Sequence, residues 1–178
     1  MIRLFAAIAI PAEIGESLAP LQRGLAGARW APLENLHITL RFAGEVAEPR
    51  ADDLAAELSV IAAAPLAIRL SGVGMFGDGA GARAVWAGVE ASEPLSRLHS
   101  RCEAAARRAG LKADTRAWRP HLTLAYLRAA DPARVAAWIQ AHNLIKAPAF
   151  TARAFGLYSS WRAEKGSIYR LERSYALG

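Results

Sequence analysis

Two short segments carry side chains able to move protons. One is His37-Ile38-Thr39-Leu40 and the other His121-Leu122-Thr123-Leu124. Both read H-x-T-x with apolar x, and they stand 84 residues apart, close to half of the 178-residue chain. In a strand, alternate residues share a face and lie roughly 6.6 Å apart. Each segment therefore sends its apolar pair into a core and sets an imidazole beside a hydroxyl on the other face. Histidine takes and gives protons near neutral pH. One neutral imidazole can act as general base on water while a second, protonated, acts as general acid on a leaving oxygen. Threonine hydroxyls beside them can donate hydrogen bonds to the non-bridging oxygens of a five-coordinate phosphorus as charge develops there. A bound phosphate would raise both imidazole pKa values, which suits the acid more than the base.

The elements that must position these residues are legible in outline. Residues 2–10 predict a strand, and Pro11 opens a helix of about 15 residues with Ile14, Leu18, Leu21 and Leu25 on one face. A short strand is expected around Arg29–Trp30 and a clear one over 36–42. Helices are expected over 49–63, 93–109 and 131–142, the last opened by Asp131-Pro132 as cap and first turn. Strands are expected over 65–74, 83–90, 121–126, 148–159 and 167–175. The glycine-rich stretch 74–81 lacks the Gly-Lys-Ser/Thr ending of a nucleotide-binding loop and reads as a hairpin turn. Paired strands next to helices indicate an α+β fold rather than a doubly wound parallel sheet. No linker divides residues 1–178, so one domain is expected. Two lobes related by a pseudo-twofold axis would bring the two His–Thr faces to opposite walls of one groove.

Charge adds a partner class. The formal charge is +6, with 19 Arg and 3 Lys against 16 acidic residues. A basic surface rich in arginine suits a polyanion, RNA above all, although an alanine-rich chain can also owe its arginine to codon usage. No apolar run reaches the length needed to cross a bilayer. The single cysteine, Cys102, leaves no intramolecular disulfide and makes a thiolate metal cluster unattractive. The expected setting is the cytoplasm, with no membrane partner, no metal and no cofactor.

At the doubled motif the chain resembles the two-histidine phosphoesterases, and among them the bacterial and archaeal RNA 2′,3′-cyclic phosphodiesterases once called 2′-5′ RNA ligases. The resemblance runs from Arg3-Leu4-Phe5 through Arg29-Trp30 and Glu34-Asn35-Leu36-His37-Ile38-Thr39-Leu40-Arg41-Phe42. It continues in Val85-Trp86, Arg119-Pro120-His121-Leu122-Thr123-Leu124-Ala125 and Phe155-Gly156-Leu157-Tyr158-Ser159-Ser160. It implies a bilobal fold in which two antiparallel sheets line a central cleft with helices outside. It also implies metal-independent opening of a terminal 2′,3′-cyclic phosphate on RNA to a 2′-phosphomonoester, the reverse 2′-5′ ligation being open to the same site. By carry-over His37 is the proton donor, His121 the proton acceptor, and Thr39 and Thr123 hold phosphate oxygens. A monomer is expected.

One position departs from the family. Members often carry a phosphate-contacting arginine where this chain has Tyr126. Arg41, on the His37–Thr39 face by strand alternation, is the expected substitute, with Arg128 the second candidate. Alternation would put Tyr126 on the core side. Trp30, Phe76, Tyr158 and Trp161 are candidates to stack on a base, while His99 and His142 read as structural, His99 at the surface. Two other readings stay open: the same site acting on a small cyclic nucleotide, and a non-catalytic RNA-binding module.

Overall fold

Among the described residues, alternation of apolar and polar residues builds ten strands, and four amphipathic helices cover them. The computed structural model describes residues 1–163 and 166–178. The strands are β1 (Ile2–Ala9), β2 (Ala28–Trp30), β3 (His37–Val46), β4 (Leu66–Ile68), β5 (Leu70–Phe76), β6 (Ala84–Val89), β7 (His121–Leu127), β8 (Phe150–Ala152), β9 (Ala154–Ala163) and β10 (Gly166–Ala176). The helices are α1 (Ala12–Leu18), α2 (Glu48–Ser59), α3 (Glu93–Arg108) and α4 (Pro132–His142). The architecture is α+β, as expected.

Most elements fall where the pattern put them, and the exceptions have causes. The first helix was expected to run about 15 residues but stops at Leu18 and continues only as a 3₁₀ turn over Ala19–Leu21. Pro20 has no N–H to donate to Glu16, so the α-helical ladder cannot pass it. The strand expected over 65–74 is two strands, β4 and β5, which pair with different partners. The segment 148–159 divides likewise into β8 and the start of β9. The cap on α4 forms as expected, Asp131 Oδ1 accepting from the Ala133 N–H at 2.9 Å. The glycine-rich stretch turns β5 back onto β6. Gly77 sits there at φ +84°, and a Cβ on it would lie 2.0 Å from the Gly81 carbonyl oxygen, so only glycine fits.

The main sheet runs in the order β10-β9-β1-β3-β7-β6-β5, every pairing antiparallel, and β2 pairs with β7 beside β3; β4 and β8 form a separate ribbon. One part of the sheet (β10-β9-β1-β3) joins the other (β7-β6-β5) where β3 and β7 share a single registered pair, Ile38 with Leu122, and β2 takes the β7 edge beyond it. That pair joins the second residue of each H-x-T-x segment across antiparallel strands. The local arrangement is therefore twofold, the axis passing between the two side chains. Ile38, Leu40, Leu122 and Leu124 are all fully buried in one core with Leu98 and Cys102 of α3 and Leu54 and Leu58 of α2.

Candidate active site

The register at the seam sets the chemistry. With Ile38 opposite Leu122 in antiparallel strands, the neighbours on the other face fall opposite each other as His37 with Thr123 and Thr39 with His121. The two histidines take the diagonal of this four-residue patch, where side chains on one sheet face stand roughly 7–8 Å apart. All four are partly buried, whereas the leucine and isoleucine between them are fully covered. The expected alternation of core and groove holds over both segments.

Each imidazole is fixed in the same way. Nδ1–H of His37 donates to the Asn35 carbonyl at 2.7 Å, and Nδ1–H of His121 donates to the Arg119 carbonyl at 2.7 Å. A carbonyl only accepts, so both rings hold the tautomer that leaves Nε2 free. Neither Nε2 has a hydrogen-bond partner among the described residues. The carbonyl two places upstream accepts from Nδ1–H in both copies. Aromatic rings hold the imidazole planes. Phe5 lies 4.8 Å from His37, with Tyr169 edge-on at 5.2 Å. Phe76 packs edge-on to His121 at 4.6 Å, with Trp86 at 6.3 Å.

Burial lowers the pKa of His37, the Asn35 hydrogen bond opposes that, and the proximity of His121 lowers it further. The two imidazoles are thus close enough for a charge on one to disfavour a charge on the other. Burial also lowers the pKa of His121, again opposed by its backbone hydrogen bond. Before substrate arrives, both rings favour the neutral form at neutral pH.

Hollows open on both sides of the patch and share residues. On the His37 side one of about 430 Å³ is lined by Arg3, Arg29, His37, Thr39, Phe42 and Tyr126. It merges with one of about 630 Å³ that reaches Trp30, Asn35, Thr123 and Tyr169. On the His121 side a hollow of about 520 Å³ is lined by Thr39, Phe76, Arg83, Trp118, Arg119 and His121. Thr39, Phe42 and Tyr126 border both sides, so the two imidazoles face adjoining parts of one trough. Volumes of a few hundred Å³ are those of nucleotide-sized ligands.

The expectation for Arg41 is corrected. The β1–β3 register slips between Ala6 and Ala7, which pair with Arg41 and Thr39. This bulge leaves Leu40 and Arg41 buried in succession, and Phe42 rather than Arg41 resumes the groove face. The Arg41 side chain is 6% exposed and is ion-paired with Glu103 of α3; it also donates to the Phe42 carbonyl and, at 2.5 Å, to the Lys112 carbonyl. It touches the edge of the His121-side hollow with its charge already matched. The second copy bulges at the matching place, since Val85 pairs with Ala125 but Trp86 with Thr123. That slip turns Tyr126 into the trough, 46% exposed, and not toward the core. Arg128 lies beyond β7, exposed and away from the hollows described.

Other residues divide unevenly. Phe76 reaches the trough, and Trp30 borders it while packing on Trp138 at 6.0 Å. Tyr158 stacks on Phe5 at 5.4 Å, and Trp161 stands at the rim, 46% exposed. His142 packs edge-on to Trp138 at 5.0 Å, a structural place as read. His99 is half-buried and borders the His121-side hollow instead of standing free at the surface. Its Nδ1–H donates to the Leu40 carbonyl at 2.7 Å, and its ring lies flat on Trp118 at 4.2 Å. Trp118 in turn donates from its indole to the Thr39 carbonyl at 3.1 Å. Sequence reasoning passed over Phe5, Trp118 and Tyr169. Strand alternation could have placed Phe5 beside the groove, but Tyr169 comes from the far end of the chain with no local signal. Among the described residues, no three His, Cys, Asp or Glu side chains gather as a metal site would need, and no helix is long and apolar enough to cross a membrane.

Residues 10–164 match the family model of the 2′-5′ RNA ligase superfamily. The chain belongs to that superfamily. An Archaeoglobus fulgidus protein named RNA 2′,3′-cyclic phosphodiesterase is 31% identical over 171 residues, covering 94% of this chain and 96% of its own. A Methanocaldococcus jannaschii protein of the same name is 29% identical over 177 residues, covering 97% and 99%. Among solved structures, E. coli LigT complexed with 3′-AMP superposes with a TM-score of 0.79 at 28% identity, covering 99% of this chain and 98% of that one. The seam and the doubled motif of this superfamily member therefore sit within a fold shared end to end with its relatives.

Proposed function

We propose that the protein is an RNA 2′,3′-cyclic phosphodiesterase that opens a terminal cyclic phosphate to a 2′-phosphomonoester. The observation carrying this reading is the twofold His–Thr patch at the Ile38–Leu122 seam, with both Nδ1 atoms tied to backbone and both Nε2 atoms free. The names borne by the relatives support the same substrate class.

In this reading His121 Nε2 takes a proton from water as its oxygen bonds to phosphorus. The P–O3′ bond breaks, His37 Nε2–H gives its proton to the departing 3′ oxygen, and the phosphate stays on the 2′ oxygen. Thr39 and Thr123 donate hydroxyl hydrogen bonds to the non-bridging oxygens, where negative charge grows. The lowered pKa of His121 suits a base, while the bound phosphate raises that of His37 toward what an acid needs. If a 5′-hydroxyl replaces water, the same proton transfers give a 2′-5′ linkage. No step requires a metal.

Product analysis on RNA ending in a 2′,3′-cyclic phosphate tests this. A 2′-phosphate product is expected, with turnover undiminished in excess EDTA. His37→Ala and His121→Ala should each lower turnover roughly 10²- to 10⁴-fold. A 3′-phosphate product, or full activity in either variant, defeats the assignment; salt-sensitive RNA binding without product would favour a binding module.

A further inference from the structure

The trough holds positive charge that the two-histidine reaction does not use. Arg3 and Arg29 are exposed on β1 and β2, and neither pairs with a carboxylate among the described residues. Each lies over an aromatic ring of the adjacent strand. The Arg3 guanidinium is 4.9 Å from the centre of Phe42, and that of Arg29 is 5.5 Å from the centre of Tyr126, its registered partner. Phe42 and Tyr126 are equivalent by the pseudo-twofold, each five residues after its histidine and just past its bulge. Burial and the adjacent Tyr169 hydroxyl push the Tyr126 phenol up, and the nearby Arg29 and Arg3 guanidiniums oppose that. Two guanidinium forks and two phenol hydroxyls therefore converge in the His37-side hollow, which Ser160 also lines. Such forks match phosphate oxygens in a bidentate manner, and attraction to the ring beneath helps to hold each one in place.

The side of the trough identifies the phosphate. This step rests on the functional reading above, in which water enters from the His121 side. Entering and departing oxygens lie on opposite sides of phosphorus, so the ribose carrying the 3′ oxygen, and the strand behind it, lie on the His37 side. In the sheet register Arg3 stands opposite Glu45, eight residues beyond His37 on β3, and Arg29 opposite Tyr126, two rungs of the ladder beyond Thr123 across the bulge. Both guanidiniums are thus rooted outside the four-residue His–Thr patch while lining the same hollow as His37. We infer that Arg3, Arg29, Tyr126 and Tyr169 form a cradle for the internucleotide phosphate just upstream of the terminal nucleotide. The site thereby prefers the end of an RNA strand to a lone nucleoside cyclic phosphate, and the charge absent at position 126 is supplied from neighbouring strands.

The test compares a dinucleotide ending in a 2′,3′-cyclic phosphate, which has the upstream phosphate, with a nucleoside 2′,3′-cyclic phosphate, which lacks it. Arg3→Met and Arg29→Met keep an apolar stem over the ring and remove the fork. Each should lower kcat/KM on the dinucleotide about tenfold, and leave the nucleoside substrate within about twofold. In the double variant the slope of log kcat/KM against log salt should become shallower by about 0.7, the loss of one phosphate contact on a single strand. Arg97→Met, an equal charge loss on the outer face of α3, should change neither substrate. Equal losses on both substrates would assign these arginines to the reacting phosphate and overturn the cradle, as would no loss on the dinucleotide. If the wild-type protein turns over neither substrate, the functional reading fails separately. Binding then decides: the wild type should hold a 3′-phosphorylated dinucleotide more tightly than a nucleoside 3′-monophosphate, a difference the double variant should lose. Equal wild-type affinities would overturn the cradle.

Discussion

At the residue scale, the two imidazoles have different tasks but the same electrostatic setting. Burial pushes both below the ordinary histidine range, and His37 is lowered further by its partner. The base must be neutral and the acid protonated, so the kcat/KM profile, which reports the free protein, should be bell-shaped with its maximum below pH 6.5. The kcat profile should lie at higher pH, because bound phosphate favours imidazolium. NMR titration of the histidine ring protons should give midpoints below 6.5 for His37 and His121 in the free protein, moving upward when inorganic phosphate is added. Midpoints above 6.5 in the free protein would contradict this. The sign carries to stability: with folded pKa values below the unfolded one, the stabilisation is present above about pH 6.5 and is lost as pH falls through the folded values. Cys102 behaves differently. Its thiol is buried in the core and pushed up to about 12, so a thiol reagent should modify it only as fast as the fold opens.

At the element scale, the bulges decide what joins the site. The H-x-T-L segments were legible because four residues of strict alternation suffice to separate core from groove. Arg41 and Tyr126 were misread because each lies one or two residues past a bulge, and one extra residue in a strand exchanges its faces. No pattern in HITLRF or HLTLAY announces that slip; it follows from pairing with β1 and β6, which the local sequence does not contain. Arg41 instead ties β3 to α3 through Glu103. Removing its partner by Glu103→Ala leaves a guanidinium buried without its counter-charge, and should destabilise the fold by about 3–5 kcal/mol. Chemical denaturation measures this directly. Molecules that remain folded should keep kcat/KM within a few-fold, because the Arg41 charge is not spent on phosphate.

At the scale of the whole molecule, the doubled motif foretold two halves and a groove. What it did not foretell is how little ladder lies at the histidines themselves: β3 and β7 share one registered pair, Ile38 with Leu122, β2 takes the β7 edge beyond it, and a common core lies beneath. The distance between the imidazoles is therefore set by packing under the seam more than by the hydrogen-bond ladder. Truncating a seam residue should then do two things where a core residue elsewhere does one. Leu122→Ala and Leu58→Ala each delete a side chain that is 0% exposed, and each should cost about 2–5 kcal/mol of stability through lost burial and a cavity. Leu58 lies on α2, away from the seam, and its loss should leave kcat of the folded population within about twofold. Leu122 lies directly between the imidazoles, and a shift of even 1 Å in their separation should lower kcat by roughly 10²-fold, with a smaller change in KM. Equal kcat in the two variants, at equal folded fraction, would mean that the strands alone hold the histidines apart and that the core beneath them has no part in setting the reaction geometry.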